Sequence, residues 1–160
     1  AFTKSKNLQL LEHLKKWYNF SYEALYFYNV YGKGHITKGK MATVIGIFER
    51  LYKQNKPLTV SKPGTQTRKF THIDDTINGC LYAWKKNKNR HYSLSNSRTY
   101  SILQVARLFS EKIKLTPQKL GERHKSSVLE KVGRTKIFRI KCKKNLREYI
   151  DNFKYNLKKN

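Results

Sequence analysis

Apolar residues recur at intervals of three and four in several stretches of the chain, and this spacing predicts amphipathic helices. The first stretch, residues 3–18, places Leu8, Leu11, Leu14, Trp17 and Tyr18 at such intervals, with lysines on the other side. The same pattern predicts helices over residues 41–54, 75–86 and 102–113, and a last helix whose stripe is Leu146, Tyr149, Ile150, Phe153 and Leu157. In the helix over 75–86, Ile77, Leu81 and Trp84 are predicted to share the apolar face.

Polar residues at the predicted helix starts indicate N-caps. Asp74 is the expected cap of the helix over 75–86. Ser101 with Gln104 has the form of a capping box, and Asn145 with Glu148 repeats that form before the last helix.

Short strands are predicted between these helices, over residues 22–32, 57–60, 91–95 and 135–140. Alternating strands and helices favour an α/β fold with largely parallel strand pairing. The sequence shows neither an internal repeat nor a Pro/Gly/Ser-rich linker, so residues 1–160 are predicted to form a single unit.

Charge narrows the classes of partner without selecting one. The chain has 35 Lys and Arg against 10 Asp and Glu, a formal net charge of +25. Such an excess suits phosphate-bearing partners, including nucleic acid, anionic membrane and nucleotides. Much of it is lysine beside asparagine, as in KKNKN at 85–89, which AT-rich coding would also produce. Both interpretations of the charge stay open.

The remaining composition favours a reduced, non-membrane setting. Cys80 and Cys142 lack metal-type spacing, and the five histidines show no mutual spacing that suggests a metal site. No stretch approaches the roughly 18 apolar residues that a membrane span needs, and charges stand where a signal peptide would be apolar. We therefore predict a cytoplasmic protein with neither a bound metal nor a membrane partner.

Four stretches, taken in order, resemble one family. They are AFTKSKN (1–7), ALYFYNVYGKG (24–34), PLTVSKPGTQTRKFTHIDD (57–75) and HYSLSNSRTYSILQVARLF (91–109). In this order and spacing they are similar to the C-terminal half of the extended short-chain dehydrogenase/reductase superfamily, the NAD-dependent nucleotide-sugar epimerases and dehydratases, with UDP-glucose 4-epimerase the nearest well-known type. The resemblance implies the C-terminal part of a Rossmann-type NAD(P)-binding fold plus the small substrate-binding α/β subdomain.

The resemblance also implies roles near the cofactor, which is expected to be NAD rather than NADP. Lys4 corresponds to the lysine of the family's Tyr-x-x-x-Lys helix, and Phe27 falls in the strand beside the cofactor. A fixed cation near a phenol favours the phenolate, which helps a tyrosine to act as a base. A solvated lysine at a helix start is the alternative for Lys4.

The substrate expected from the resemblance is a nucleotide-diphosphate sugar. Asn29 and Arg68 stand at family positions that contact it. Arginine presents a planar fork to two phosphate oxygens, which lysine does not. The alternatives are a turn asparagine bonded to its own backbone, and a structural ion pair between Arg68 and an aspartate.

Other matches are looser. Lys119 and Glu122, in KLGE, correspond to a family motif that contacts phosphate and ribose, but lysine replaces arginine there and leucine replaces proline. Asp74 and Asp75 resemble a catalytic carboxylate pair, yet at a helix start they are expected to be structural.

A glycine-rich dinucleotide turn is absent from the 160 residues. The sequence therefore predicts a fragment that lacks the N-terminal dinucleotide-binding half and is inactive alone. Exposure of the Leu8, Leu11 and Leu14 stripe predicts poor solubility in isolation, and the resemblance implies a homodimer for the full-length protein. Alternatives from other classes are a basic nucleic-acid-binding or ribosome-associated module, with nucleic acid the less favoured partner, and an inactive relative kept for assembly.

Overall fold

Five helices and ten strands lie within the part of the chain that the computed structural model describes, residues 2–118 and 128–159. The helices are α1 (Phe2–Tyr18), α2 (Val44–Lys53), α3 (Ile73–Lys86), α4 (Ile102–Phe109) and α5 (Leu146–Lys159). The strands are β1 (Ala24–Phe27), β2 (Val30–Tyr31), β3 (Leu58–Ser61), β4 (Thr67–Arg68), β5 (Thr71–His72), β6 (His91–Leu94), β7 (Tyr100–Ser101), β8 (Ile113–Thr116), β9 (Lys131–Val132) and β10 (Thr135–Arg139).

The strands pair mainly in parallel. A four-stranded sheet has the order β1-β6-β10-β9, in which only β9 runs antiparallel to its neighbour. Two further ladders, β2 with β5 and β3 with β8, are parallel, while β4 and β7 are antiparallel. The predicted α/β class with largely parallel pairing is confirmed.

Two hydrophobic cores support these sheets. The larger lies between α2, α4, α5 and β3, where Phe109 makes edge-on ring contacts with Phe48 and Phe153 at centroid distances of 6.0 and 5.9 Å. The smaller core joins Ala83 of α3 to Tyr92 and Leu94 of β6. The predicted stripe of the last helix is confirmed, since all five of its residues are buried or half-buried.

Most predicted elements exist, but several boundaries differ. The strand predicted over 22–32 is two strands, because Asn29 adopts a left-handed backbone with φ of 38°. Helix α2 begins after Thr43, whose side chain accepts from the Gly46 N–H. The helix predicted over 102–113 ends at Phe109, and β8, which was not predicted, follows it.

The N-cap predictions had mixed outcomes. Ser101 and Gln104 form the predicted capping box, with bonds of 3.0 and 2.8 Å. Asn145 accepts from the Arg147 N–H at 3.0 Å as α5 begins. Asp74 was wrongly predicted as a cap: His72 holds that position, and its Nδ1 accepts from the Asp74 N–H.

The apolar face predicted for α3 lies on the exposed side of the helix, not against the core. Ile77, Leu81 and Trp84 are 51%, 44% and 73% exposed. The helix meets β6 through its small residues Gly79 and Ala83 instead. Contact through small residues brings the backbone of α3 near Leu94, so helix spacing rather than side-chain hydrophobicity decides which face is covered.

Helix α1 also leaves apolar side chains uncovered. None of its residues is buried, and Leu10 and Trp17 are 55% and 71% exposed. Leu8 and Leu14 of the predicted stripe are half-buried, and Leu11 is exposed. In the part of the chain described, no helix combines the length and the apolar character needed to cross a membrane.

Stability should decrease at mildly acidic pH because of His91, which lies in β6. The side chain is buried, and desolvation lowers its pKa, although Glu12 and Glu23 partly oppose this. An unfolded imidazole binds its proton near pH 6.5, roughly its ordinary pKa, before the folded one does. The free energy of unfolding should therefore be fully present above about pH 6.5 and fall as the pH drops toward the lower, folded pKa.

Urea unfolding at several pH values between about 5 and 8 measures the slope of the free energy of unfolding against pH. His91→Gln should flatten it, whereas His13→Gln, at an exposed position of α1, should leave it unchanged. An unchanged slope in His91→Gln would assign the acid sensitivity to other groups.

Candidate functional site

A cavity of about 680 Å³ opens beyond the end of β1, between the start of α2 and strands β3 and β4. This volume is within the range of small-molecule sites, roughly 300–1,000 Å³. Its wall is formed by Asn29, Val30, Ala42, Thr43, Val44, Ile45, Ile47, Phe48, Thr59, Ser61, Gln66, Arg68, Phe70, Ile102, Thr116 and Pro117. Among these described lining residues Arg68 is the charged one.

Arg68 reaches the cavity from β4, which pairs with β7. Its half-buried side chain donates from one guanidinium nitrogen to the Thr67 carbonyl at 2.8 Å. This bond fixes part of the fork close to the backbone. A guanidinium carries its five N–H donors in one plane, so their geometry relative to one another is fixed.

Asn29 joins two parts of the wall. Its Nδ2 donates to the Lys69 carbonyl at 2.9 Å, and its own carbonyl accepts from the Thr71 N–H at 3.4 Å. The side chain thus bonds across to the segment that follows Arg68, not to its own backbone. Sequence reasoning placed Asn29 and Arg68 at one site, and the structure brings both to the same cavity.

The start of α2 forms another side of the cavity, through residues 42–45. Thr43 caps this helix, accepting from the Gly46 N–H at 3.1 Å. The first N–H groups of a helix carry a partial positive charge and attract anions. The arginine and the helix start therefore make this end of the cavity electropositive.

Sequence reasoning missed much of the wall. Gln66 is 3% exposed, and its Nε2 donates to the Ser61 carbonyl at 3.3 Å. Phe70 and Phe48 supply buried aromatic surface. The signal for Gln66 was present in the Gly-Thr-Gln-Thr-Arg turn, but the apolar positions of α2 were indistinguishable from ordinary core.

The other predicted site residues lie elsewhere. Lys4 is exposed in the first turn of α1, and Phe27 ends β1 with 53% exposure; neither lines the cavity. Lys119 and Glu122 lie outside the described residues. Pro117, two residues before Lys119 in the sequence, does line the cavity.

The described residues, 2–118 and 128–159, do not make up a full dinucleotide site. Lys4 and Phe27 are the predicted cofactor contacts, and both are open to solvent. The sequence also lacks the glycine-rich strand-to-helix turn that binds a dinucleotide pyrophosphate.

Asp74 and Asp75 are structural, and they have separate partners. The Asp75 carboxylate is buried and accepts from the backbone N–H groups of Lys143 and Lys144, with the shortest bond 2.9 Å. Asp74 is half-exposed and lies 3.8 Å from Lys144 Nζ. The two aspartates therefore do not form a catalytic pair.

A buried polar network holds α2 to α5 behind the cavity. Glu49 accepts from the Tyr149 hydroxyl at 2.7 Å, and its other oxygen lies 3.0 Å from His35 Nε2. Burial, followed by the Glu49 contact, raises the pKa of Tyr149. The hydroxyl therefore remains a hydrogen-bond donor, which fixes the orientation of α2.

A mixed α/β fold with a mainly parallel sheet and a cavity beyond a strand end is typical of Rossmann-type proteins. Residues 1–95 match the model of the NAD dependent epimerase/dehydratase family. The chain belongs to that family, so the resemblance seen in the sequence is confirmed, as is NAD as the family's cofactor.

Curated relatives include UDP-glucuronic acid decarboxylase 1 of Xenopus tropicalis, which is 32% identical over 85 residues, covering 52% of this chain and 20% of that protein. UDP-glucuronic acid decarboxylase 3 of Arabidopsis thaliana is 29% identical over 87 residues, covering 54% and 25%. The chain thus spans a quarter or less of the length of these relatives.

Solved structures share the fold. UDP-glucose 4-epimerase of Thermotoga maritima, with UDP-glucose, matches 99% of this chain and 53% of its own, at a TM-score of 0.82 and 21% identity. UDP-glucuronic acid 4-epimerase of Bacillus cereus, in complex with UDP-glucuronic acid and NAD, matches 99% and 52%, at 0.70 and 22%. The chain spans about half of each of these structures.

Proposed function

We propose that this chain provides the nucleotide-sugar-binding part of an NAD-dependent epimerase or dehydratase, most similar to a UDP-sugar 4-epimerase. The observation that carries the proposal is that Asn29, Arg68 and the start of α2 meet at one cavity. The family membership and the UDP-sugars named with the solved structures support it.

The cavity has the chemistry that a nucleotide diphosphate requires. The Arg68 fork matches two phosphate oxygens, and the α2 start adds N–H donors for the same charge. The buried rings of Phe48 and Phe70 form the apolar backing of the cavity wall. Asn29 contributes an amide at the strand end, where ligands of open α/β sheets bind.

The family's reaction is then divided between this chain and the dinucleotide-binding part of a larger site. This chain binds and orients the nucleotide sugar, while hydride exchange with NAD requires the dinucleotide-binding residues that this sequence lacks. Lys4, Phe27, Lys119 and Glu122 keep their predicted roles as proposals. A homodimer and a cytoplasmic location also remain predictions, and the uncovered apolar residues of α1 provide a surface to which a second polypeptide would bind.

Arg68→Met should weaken the binding of UDP-glucose roughly tenfold, because a charge-assisted contact to the diphosphate is lost. Isothermal titration calorimetry of the protein with UDP-glucose measures this. Arg107→Met is the matched control, since Arg107 is an exposed arginine of α4 that does not line the cavity.

Equal weakening in Arg68→Met and Arg107→Met would show attraction by general charge and contradict the proposal. Binding of oligonucleotides with no response to UDP-glucose would favour the nucleic-acid alternative instead.

A further inference from the structure

A second cavity, of about 330 Å³, lies on the far side of the larger core where α2, α4 and α5 end. We call it the lysine cavity. Its described wall consists of Tyr52, Lys53, Asn55, Lys56, Ser110, Lys112, Lys154, Leu157 and Lys158. Five of these nine residues are lysines and none is acidic. It shares no residue with the Arg68 cavity.

The helix ends explain only part of this charge. Each helix C-terminus carries roughly half a negative charge, so the ends of α2, α4 and α5 together supply about 1.5. Lys154 serves this purpose, because its Nζ donates to the Leu108 carbonyl at 3.2 Å. More than three of the five positive lysine charges are therefore not balanced by the helix ends. Glu111 and Asp151 are neighbours in sequence of the lysines, but they do not line the cavity.

Several of the ammonium groups are held in place before any ligand binds. Lys112 Nζ donates to Asn55 Oδ1 at 2.9 Å. Lys154 Nζ lies 5.8 Å from the centre of the Tyr52 ring, and Lys53 Nζ lies 5.4 Å from that of Phe153. Both rings pack against the larger core, so Lys154 and Lys53 contact side chains that the core holds in place. Fixed like charges repel one another, and an anion placed between them removes that repulsion.

We infer that the lysine cavity binds a small anion with several phosphate charges, such as a di- or triphosphate chain. Lysines are compact point charges that select for charge density, whereas arginine forks select for planar geometry. The Tyr52 ring packs against Phe109 and Phe153, so stacking of a base on it is not what this wall offers. The site goes beyond the proposed nucleotide-sugar function and does not depend on it.

Titration of the protein with inorganic tripolyphosphate tests the site. Lys56 and Lys158 are exposed lining residues, so Lys56→Gln/Lys158→Gln should fold normally and bind tripolyphosphate roughly five- to tenfold more weakly. Lys85→Gln/Lys88→Gln removes the same charge from exposed positions in the last turn of α3 and just beyond it, and this variant should bind like the unchanged protein. Thermal unfolding of each variant checks the fold.

Three results would overturn the inference. Equal weakening in both double variants would show attraction by net charge alone. Loss of tripolyphosphate binding in Arg68→Met, with Lys56→Gln/Lys158→Gln unaffected, would place the anion in the other cavity. Tighter binding of an oligothymidylate, with the same dependence on Lys56 and Lys158, would replace the small phosphate with a nucleic acid. Failure of UDP-glucose to bind would leave the lysine cavity standing, so the two proposals fail separately.

Discussion

Asp75→Ala is expected to destabilise the protein by about 3 kcal/mol. The buried carboxylate accepts from the N–H groups of Lys143 and Lys144, and it ties the segment before α5 to the first turn of α3. Its removal breaks charge-assisted bonds, leaves backbone donors of a partly buried segment unsatisfied, and removes a negative charge from a helix N-terminus.

Asp74→Ala is the matched control for that variant. Asp74 has the same charge and is the neighbouring residue, but its side chain is 53% exposed and its ion pair with Lys144 is long, at 3.8 Å. It should cost no more than about 0.5 kcal/mol. Urea unfolding of both variants at one ionic strength measures the difference, and equal losses would show that the bonds to Lys143 and Lys144 contribute little.

Gly79→Val should lower the free energy of unfolding by about 3 kcal/mol, near the upper end for overpacked cores. A Cβ at Gly79 would lie 2.9 Å from Leu94 Cγ, and still nearer to one methyl group of that side chain. Leu94 is fully buried, so it cannot move aside into solvent. Valine adds two methyl groups at this contact between α3 and β6.

Gly79→Ala separates crowding from helix propensity. Alanine gains up to about 1 kcal/mol over glycine within a helix, which partly offsets its smaller clash. It should therefore fall between the unchanged protein and Gly79→Val. Asn78→Ala, on the exposed side of α3, should be neutral or slightly stabilising. A Gly79→Val protein as stable as the unchanged one would mean that α3 and β6 can move apart.

The sequence predicted the fold class and most elements, because alternation of strands and helices depends on local patterns. It failed on α3, where Gly79 and Ala83 are buried and Trp84 is exposed. Hydrophobic periodicity assumes that the apolar face is the covered one. A helix that must approach a strand closely breaks this rule, and sequence alone does not show the required spacing.

The family resemblance assigned Arg68 and Asn29 to one site, and both residues line the same cavity. Their roles toward a ligand stay predictions. His72 was missed as the cap of α3, because histidine seldom caps helices and the adjacent aspartate is the usual choice. The lysine cavity was unpredictable, since its members come from three helix ends that meet only in the folded chain.

The break at Asn29 limits how this protein can evolve. One residue there adopts a left-handed backbone, bonds to Lys69 across the wall and borders the cavity. A change that altered ligand preference at this position would also disturb folding, so selection has little freedom to use it. Thr59, Ser61 and Thr116 also line the cavity and sit in paired strands, where side chains can vary while the backbone ladder persists. Changes in the ligand preference of the proposed site should therefore arise first along that strand pair.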